Sequence, residues 1–171
     1  KTLSVVLSND GTDFFAEAAL VSNGREHSYS CRTPFRNDDS IIEKRFAKRC
    51  IKIAVFRAMR KAYPEAHLPW GSLTGIRPTR LLRELQHSCG SAEAKSMMLN
   101  TFDVTPQKFA LAERIVSVQE PIFASVRKND VDVYIGIPFC RTRCLYCSFA
   151  SQLRTAKTDM QPYLAALKTD I

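Results

Sequence analysis

Tyr134-Ile135-Gly136-Ile137-Pro138-Phe139-Cys140-Arg141-Thr142-Arg143-Cys144-Leu145-Tyr146-Cys147 is the stretch that decides the reading of this chain. Just before it stands Val131-Asp132-Val133, so the run from Val131 to Ile137 is mostly apolar and reads as a largely buried strand leading straight into the cysteines. Downstream, Tyr163, Leu164, Ala166 and Leu167 fall at helical spacing. The cysteines therefore occupy a loop between a strand and a helix, where three thiolates are expected to converge on one centre without distorting either element.

Cys140, Cys144 and Cys147 form a CX3CX2C arrangement. A structural zinc site takes four closed ligands and commonly uses C-x2-C pairs, and no second pair stands elsewhere in the chain. A four-iron four-sulfur cluster held by three cysteines instead leaves one iron free to chelate a small molecule. Zinc, or cysteines with no common role, stay open as the alternatives.

With Tyr134 six residues ahead of the first cysteine, Ile137-Pro138-Phe139 leading into it and Tyr146 directly before the third, this stretch closely resembles a known pattern. It is that of the oxygen-independent coproporphyrinogen III oxidase branch of the radical S-adenosylmethionine superfamily. A second string, Trp70-Gly-Ser-Leu-Thr-Gly-Ile-Arg-Pro-Thr-Arg80, resembles a motif that precedes the radical domain in the coproporphyrinogen dehydrogenase-like, HemZ-type subgroup.

The resemblance implies that Cys140, Cys144 and Cys147 ligate a 4Fe-4S cluster, and that Tyr134 and Tyr146 lie against S-adenosylmethionine. It implies electron transfer from a reducing partner such as flavodoxin or ferredoxin, and reductive cleavage of S-adenosylmethionine to a 5′-deoxyadenosyl radical. That radical would take hydrogen from a propionate of coproporphyrinogen III, and oxidative loss of carbon dioxide, repeated once, would give protoporphyrinogen IX in haem biosynthesis. Further catalytic residues stay unassigned. Plain packing is the other reading of both tyrosines.

The implied fold is an α+β N-terminal domain over residues 1–129, followed over 130–171 by the first β/α unit of a radical S-adenosylmethionine (partial TIM-like) barrel. The family's later glycine-rich cofactor-binding strand has no counterpart here, so the barrel is expected to be incomplete and the chain a truncated one. Within the same branch, a haem chaperone or a radical methyltransferase is an alternative, because related folds host different chemistry.

Composition sets the outer bounds. Among 171 residues, 45% are hydrophobic and 25% charged, with no repeat or low-complexity tract, which is the balance of a globular chain. The longest apolar stretches, such as Phe14 to Val21, fall far short of a membrane span, and no signal-peptide core is present, so a cytoplasmic, membrane-free protein is expected. Three of the six cysteines sit in eight residues while Cys31, Cys50 and Cys89 are scattered, a pattern of a metal site rather than a disulfide framework.

The net charge of +8 is concentrated: Arg25 to Arg83 holds 14 Lys/Arg against 5 Asp/Glu. A basic helix around Lys44 to Arg60 reads as a solvated face. An RNA-binding or RNA-modifying role is the rival from another class and predicts strongly salt-dependent binding, but nucleic acid is not the expected partner.

Two apolar runs, Leu3 to Leu7 and Phe14 to Leu20, flank Ser8-Asn9-Asp10-Gly11, and Asn23-Gly24 precedes a third run from His27 to Cys31, which predicts a three-stranded meander. Asp39 caps a long helix that ends before Pro64, Pro78 opens one running to about His87, Ser91 a short one to Leu99, and Thr105-Pro106 a longer one towards Val126. In the Trp70–Arg80 string, two glycines, three hydroxyls and Arg77 and Arg80 beside a helix start suggest an anion site suited to propionates. Structural punctuation explains the same residues equally well.

Overall fold

A two-residue turn needs left-handed backbone at both positions to match strand twist, and Asn23 (φ 54°) and Gly24 (φ 73°) supply it. The computed structural model describes residues 1–35 and 39–171 and divides into two units, Lys1–Val126 and Arg127–Ile171. In the first, β1 (Thr2–Asn9), β2 (Asp13–Ser22) and β3 (Arg25–Pro34) form an antiparallel sheet in chain order.

Alternation along β2 buries Phe14, Ala16, Ala18, Leu20 and Ser22 on one face. Helix α1 (Ser40–Ala62) covers that face, started by Asp39, whose carboxylate accepts the N–H of Ile41 at 2.9 Å. The contact stripe of α1 is small: Cys50, Ala54 and Ala58, one helical turn apart, are fully buried and lie with Ala16 and Ala18 in one core. Small side chains on both surfaces let helix and sheet approach closely. The Cys50 thiol donates to the carbonyls of Cys31 (3.3 Å) and Phe14 (3.5 Å), which ties the helix to two strands at once.

An adjacent face of α1 contributes Ile53 to a second core made by the remaining helices of this unit. These are α2 (Pro78–Cys89), α3 (Ser91–Ser96) and α4 (Pro106–Ser125), the last capped by the Thr105 hydroxyl. The short helix expected to reach Leu99 gives way after Ser96 to a π-helical turn, Met97–Thr101. That wider turn delivers Phe102, 1% exposed, into the middle of the core beside Leu82 and Met98.

The basic face of α1 is only partly solvated. Arg57 is drawn inward, its guanidinium donating to Asp103 at 2.8 Å, to the Tyr29 hydroxyl and to the carbonyl of Asn100. Arg60 donates to the other Asp103 oxygen at 2.8 Å. Both arginines thus clamp the π-helical segment to the sheet side, which corrects the expectation of a free face.

In the second unit, residues 131–137 correct the expectation of a buried strand. They form no ladder, and Val131, Val133, Tyr134 and Ile137 are exposed. A parallel strand is stabilised by neighbours on both edges and cover on both faces, and neither is provided to this run by the described residues. The strand that does form, β4 (Phe139–Cys140), is two residues long and pairs in parallel with β5 (Gln152–Leu153); α5 (Gln161–Asp170) follows. The described residues hold no closed barrel.

Candidate metal centre in the cysteine loop

Cys140 lies at the end of β4, where main-chain bonds fix its position. The N–H of Gln152 donates to Pro138 O and that of Arg154 to Cys140 O, each at 2.8 Å, so residues 141–151 form a loop closed at its base. Tyr163 of α5 reinforces the base: its hydroxyl donates to Gly136 O at 2.5 Å and its ring meets Phe139 edge-on at 5.5 Å. In the sequence Tyr163 shows only helical spacing, because a lone tyrosine on a helix carries no local signal of such a clamp.

Within the loop, the N–H of Cys147 donates to Cys144 O at 3.0 Å, a tight turn that sets the second and third cysteines on one bend. All three thiols are free. Cys140 and Cys147 are half-buried and Cys144 is exposed, with the Cys147 sulfur 3.9 Å from the Ser151 hydroxyl.

This donor set suits an iron–sulfur or other soft centre in its chemistry: three accessible thiols, on a short loop, with no disulfide competing for them. It is not assembled in advance. Among the described residues, no three His, Cys, Asp or Glu side chains stand close enough to hold a metal ion. The expected convergence of the three thiols is therefore absent from this geometry, and a shared centre would require the loop to draw together.

Tyr134 and Tyr146 stand free of the loop's packing, at 91% and 89% exposure. The Tyr134 ring lies over Gly136, where a Cβ would come within 3.2 Å of it.

The Trp70–Arg80 string belongs to the first unit, and its first half has structural work. Gly71 (φ 57°) backs onto Phe102, and the N–H and hydroxyl of Ser72 both donate to Phe102 O, at 2.9 and 3.2 Å. Its second half behaves differently: Arg77 and Arg80 reach the surface at the start of α2, where no side chain caps the helix.

No family model matches this chain, and no solved structure matches it. Among curated proteins, it is 36% identical over 98 residues to the oxygen-independent coproporphyrinogen-III oxidase-like protein HemZ of Bacillus subtilis (strain 168). The match takes in 56% of this chain and 20% of that protein, so the chain spans about one fifth of the relative's length. No described helix is long and apolar enough to cross a membrane.

Proposed function

We propose that this chain carries the cluster-binding segment of a radical S-adenosylmethionine oxidoreductase that decarboxylates the propionates of coproporphyrinogen III. The observation that carries the reading is the set of three free thiols in CX3CX2C, set in the Tyr134–Cys147 stretch of a chain similar to a coproporphyrinogen-III oxidase-like protein. In this reading residues 130–171 supply the first β/α unit of the barrel, and flavodoxin or ferredoxin supplies electrons.

Cys140, Cys144 and Cys147 would hold the 4Fe-4S cluster. When bound, the cluster supplies the open iron at which S-adenosylmethionine is chelated and reductively cleaved. The chain's own contribution is positional. Cys140 is held at the loop base by the β4–β5 bonds, while exposed Cys144 is free to swing towards the other two. Arg141 and Arg143, both exposed, place positive charge beside an anionic centre. Tyr134 and Tyr146 are available as aromatic faces for the adenine and as shields that keep solvent from a reactive species.

Anaerobic reconstitution with iron and sulfide tests this directly. About four iron and four sulfide per chain are expected in the wild type, with loss in each of Cys140→Ala, Cys144→Ala and Cys147→Ala. Stoichiometric zinc in place of iron, or cluster content unchanged by all three substitutions, would overturn it.

A further inference from the structure

Helices α1 and α2 enclose a groove of about 270 Å³ whose walls carry six cations, Arg45, Lys48, Arg49, Lys52, Arg77 and Arg80, against the single carboxylate of Glu84. Cations this close repel one another and cost stability unless something neutralises them. Internal partners answer only part of that demand. Glu84 takes Arg80 at 2.9 Å and, more distantly, Arg45 at 3.4 Å, and Lys52 donates to Thr74 O.

The rest is unanswered. Arg49 lies with its guanidinium about 5.1 Å from the centres of both Phe46 and Phe102, and its buried Nε has no hydrogen-bond partner among the described residues. Burial, followed by neighbouring Arg45, holds its pKa below the ordinary arginine value. The side chains of Lys48 and Arg77 have no ion-pair or hydrogen-bond partner among the described residues. At the start of α2 no side chain caps the helix, and the first intrahelical bond is Leu81 N–H to Arg77 O, so the N–H groups of Thr79 and Arg80 have no intrahelical acceptor.

We infer that this groove is a binding site for a small ligand bearing two or more oxyanion groups, carboxylate or phosphate. The volume decides the size of what enters: it holds anionic groups but not a large body. A second cleft of about 810 Å³ shares Arg77, Arg80 and Glu84 with it and adds Phe123 and the Arg83 guanidinium stacked on that ring at 3.9 Å. The ligand's body lies there. Guanidinium forks match carboxylate and phosphate geometry with two parallel hydrogen bonds, which suits an Arg-rich wall. The rings beside the groove are stacked on Arg49 rather than offered as a platform for bases, which argues against a single-stranded nucleic acid. Every residue of the groove belongs to the first unit, and the inference does not depend on the chemistry of the cysteine loop.

The test is thermal-shift and fluorescence titration of the 171-residue chain at low ionic strength with two probes, inorganic tripolyphosphate and coproporphyrin III, a tetracarboxylate. The variant is the double substitution Lys48→Gln/Arg77→Gln, with Arg114→Gln on α4 as the control. At least one probe is expected to raise the melting temperature of the wild type and the control, with apparent affinity about tenfold weaker in the double variant. The same variant should melt no lower than the wild type without ligand, because it removes repulsion; a purely structural role would lower it. Tripolyphosphate alone assigns a phosphate ligand, and coproporphyrin alone a carboxylate one. Failure of both probes to bind, weakening equal in the control, or binding restricted to an RNA oligomer would overturn the site.

Discussion

Gly71 sits at φ 57°, and a Cβ placed there would lie 2.0 Å from the carbonyl oxygen of Phe102. Gly75 has a similar φ of 65° but open space around it. The two positions separate backbone strain from collision. Gly75→Ala is expected to cost about 1 kcal/mol, the strain of a left-handed alanine, and Gly71→Ala about 3 kcal/mol or more. Urea unfolding of the two variants checks the ranking.

Asp10 offers a pH-dependent case. Hydrogen bonds from the Thr12 side chain, the Thr12 N–H and the Asp13 N–H hold its carboxyl at about 2, below the ordinary 3.8. Its contribution is therefore complete above pH 3.8 and lost as pH falls towards 2. Asp10→Asn is expected to melt lower than the wild type at neutral pH, with the gap closing across that acid window in a melting series. Both residues were legible as turn residues in the sequence, because turns are local; that Gly71 backs onto a residue 31 positions away was not.

At the scale of elements, the stripe Cys50, Ala54 and Ala58 on α1 has no room for larger groups. Ala54→Leu is expected to destabilise by about 1–3 kcal/mol through overpacking, read by denaturant unfolding. The same packing sorts the thiols. Burial, followed by the neighbouring Cys50, pushes the Cys31 thiol up to about 11, and Cys50 is fully enclosed. Timed alkylation with mass-spectrometric mapping should label exposed Cys144 well before either, and Cys50 only on unfolding.

The meander and the main helices of the first unit were readable because caps, turn pairs and Pro at helix starts are written in adjacent residues. The run 131–137 has the pattern of a strand but forms none, because a buried parallel strand is defined by neighbours that periodicity cannot supply, and the described residues give it none. The clamp made by Arg57 and Arg60 escaped for the matching reason: its acceptor, Asp103, is distant in sequence and set by a π-helical turn.

For the molecule as a whole, the +8 charge and its concentration between Arg25 and Arg83 were plain in the composition. Its meaning was not, since Lys48 and Arg77 meet in one groove only after α1 and α2 fold. The cysteine loop shows the reverse balance. Its residue types and spacing were fully legible, whereas the described residues do not bring the three thiols within metal-holding distance of one another.

The central claim is that these three thiols hold a cluster able to engage S-adenosylmethionine. Electron paramagnetic resonance of the anaerobically reconstituted, dithionite-reduced chain, with and without S-adenosylmethionine, tests it most directly. The account predicts a 4Fe-4S signal that shifts on adding S-adenosylmethionine and disappears in Cys144→Ala. A reconstituted chain with no cluster signal, or one whose signal survives Cys144→Ala unchanged, would contradict it.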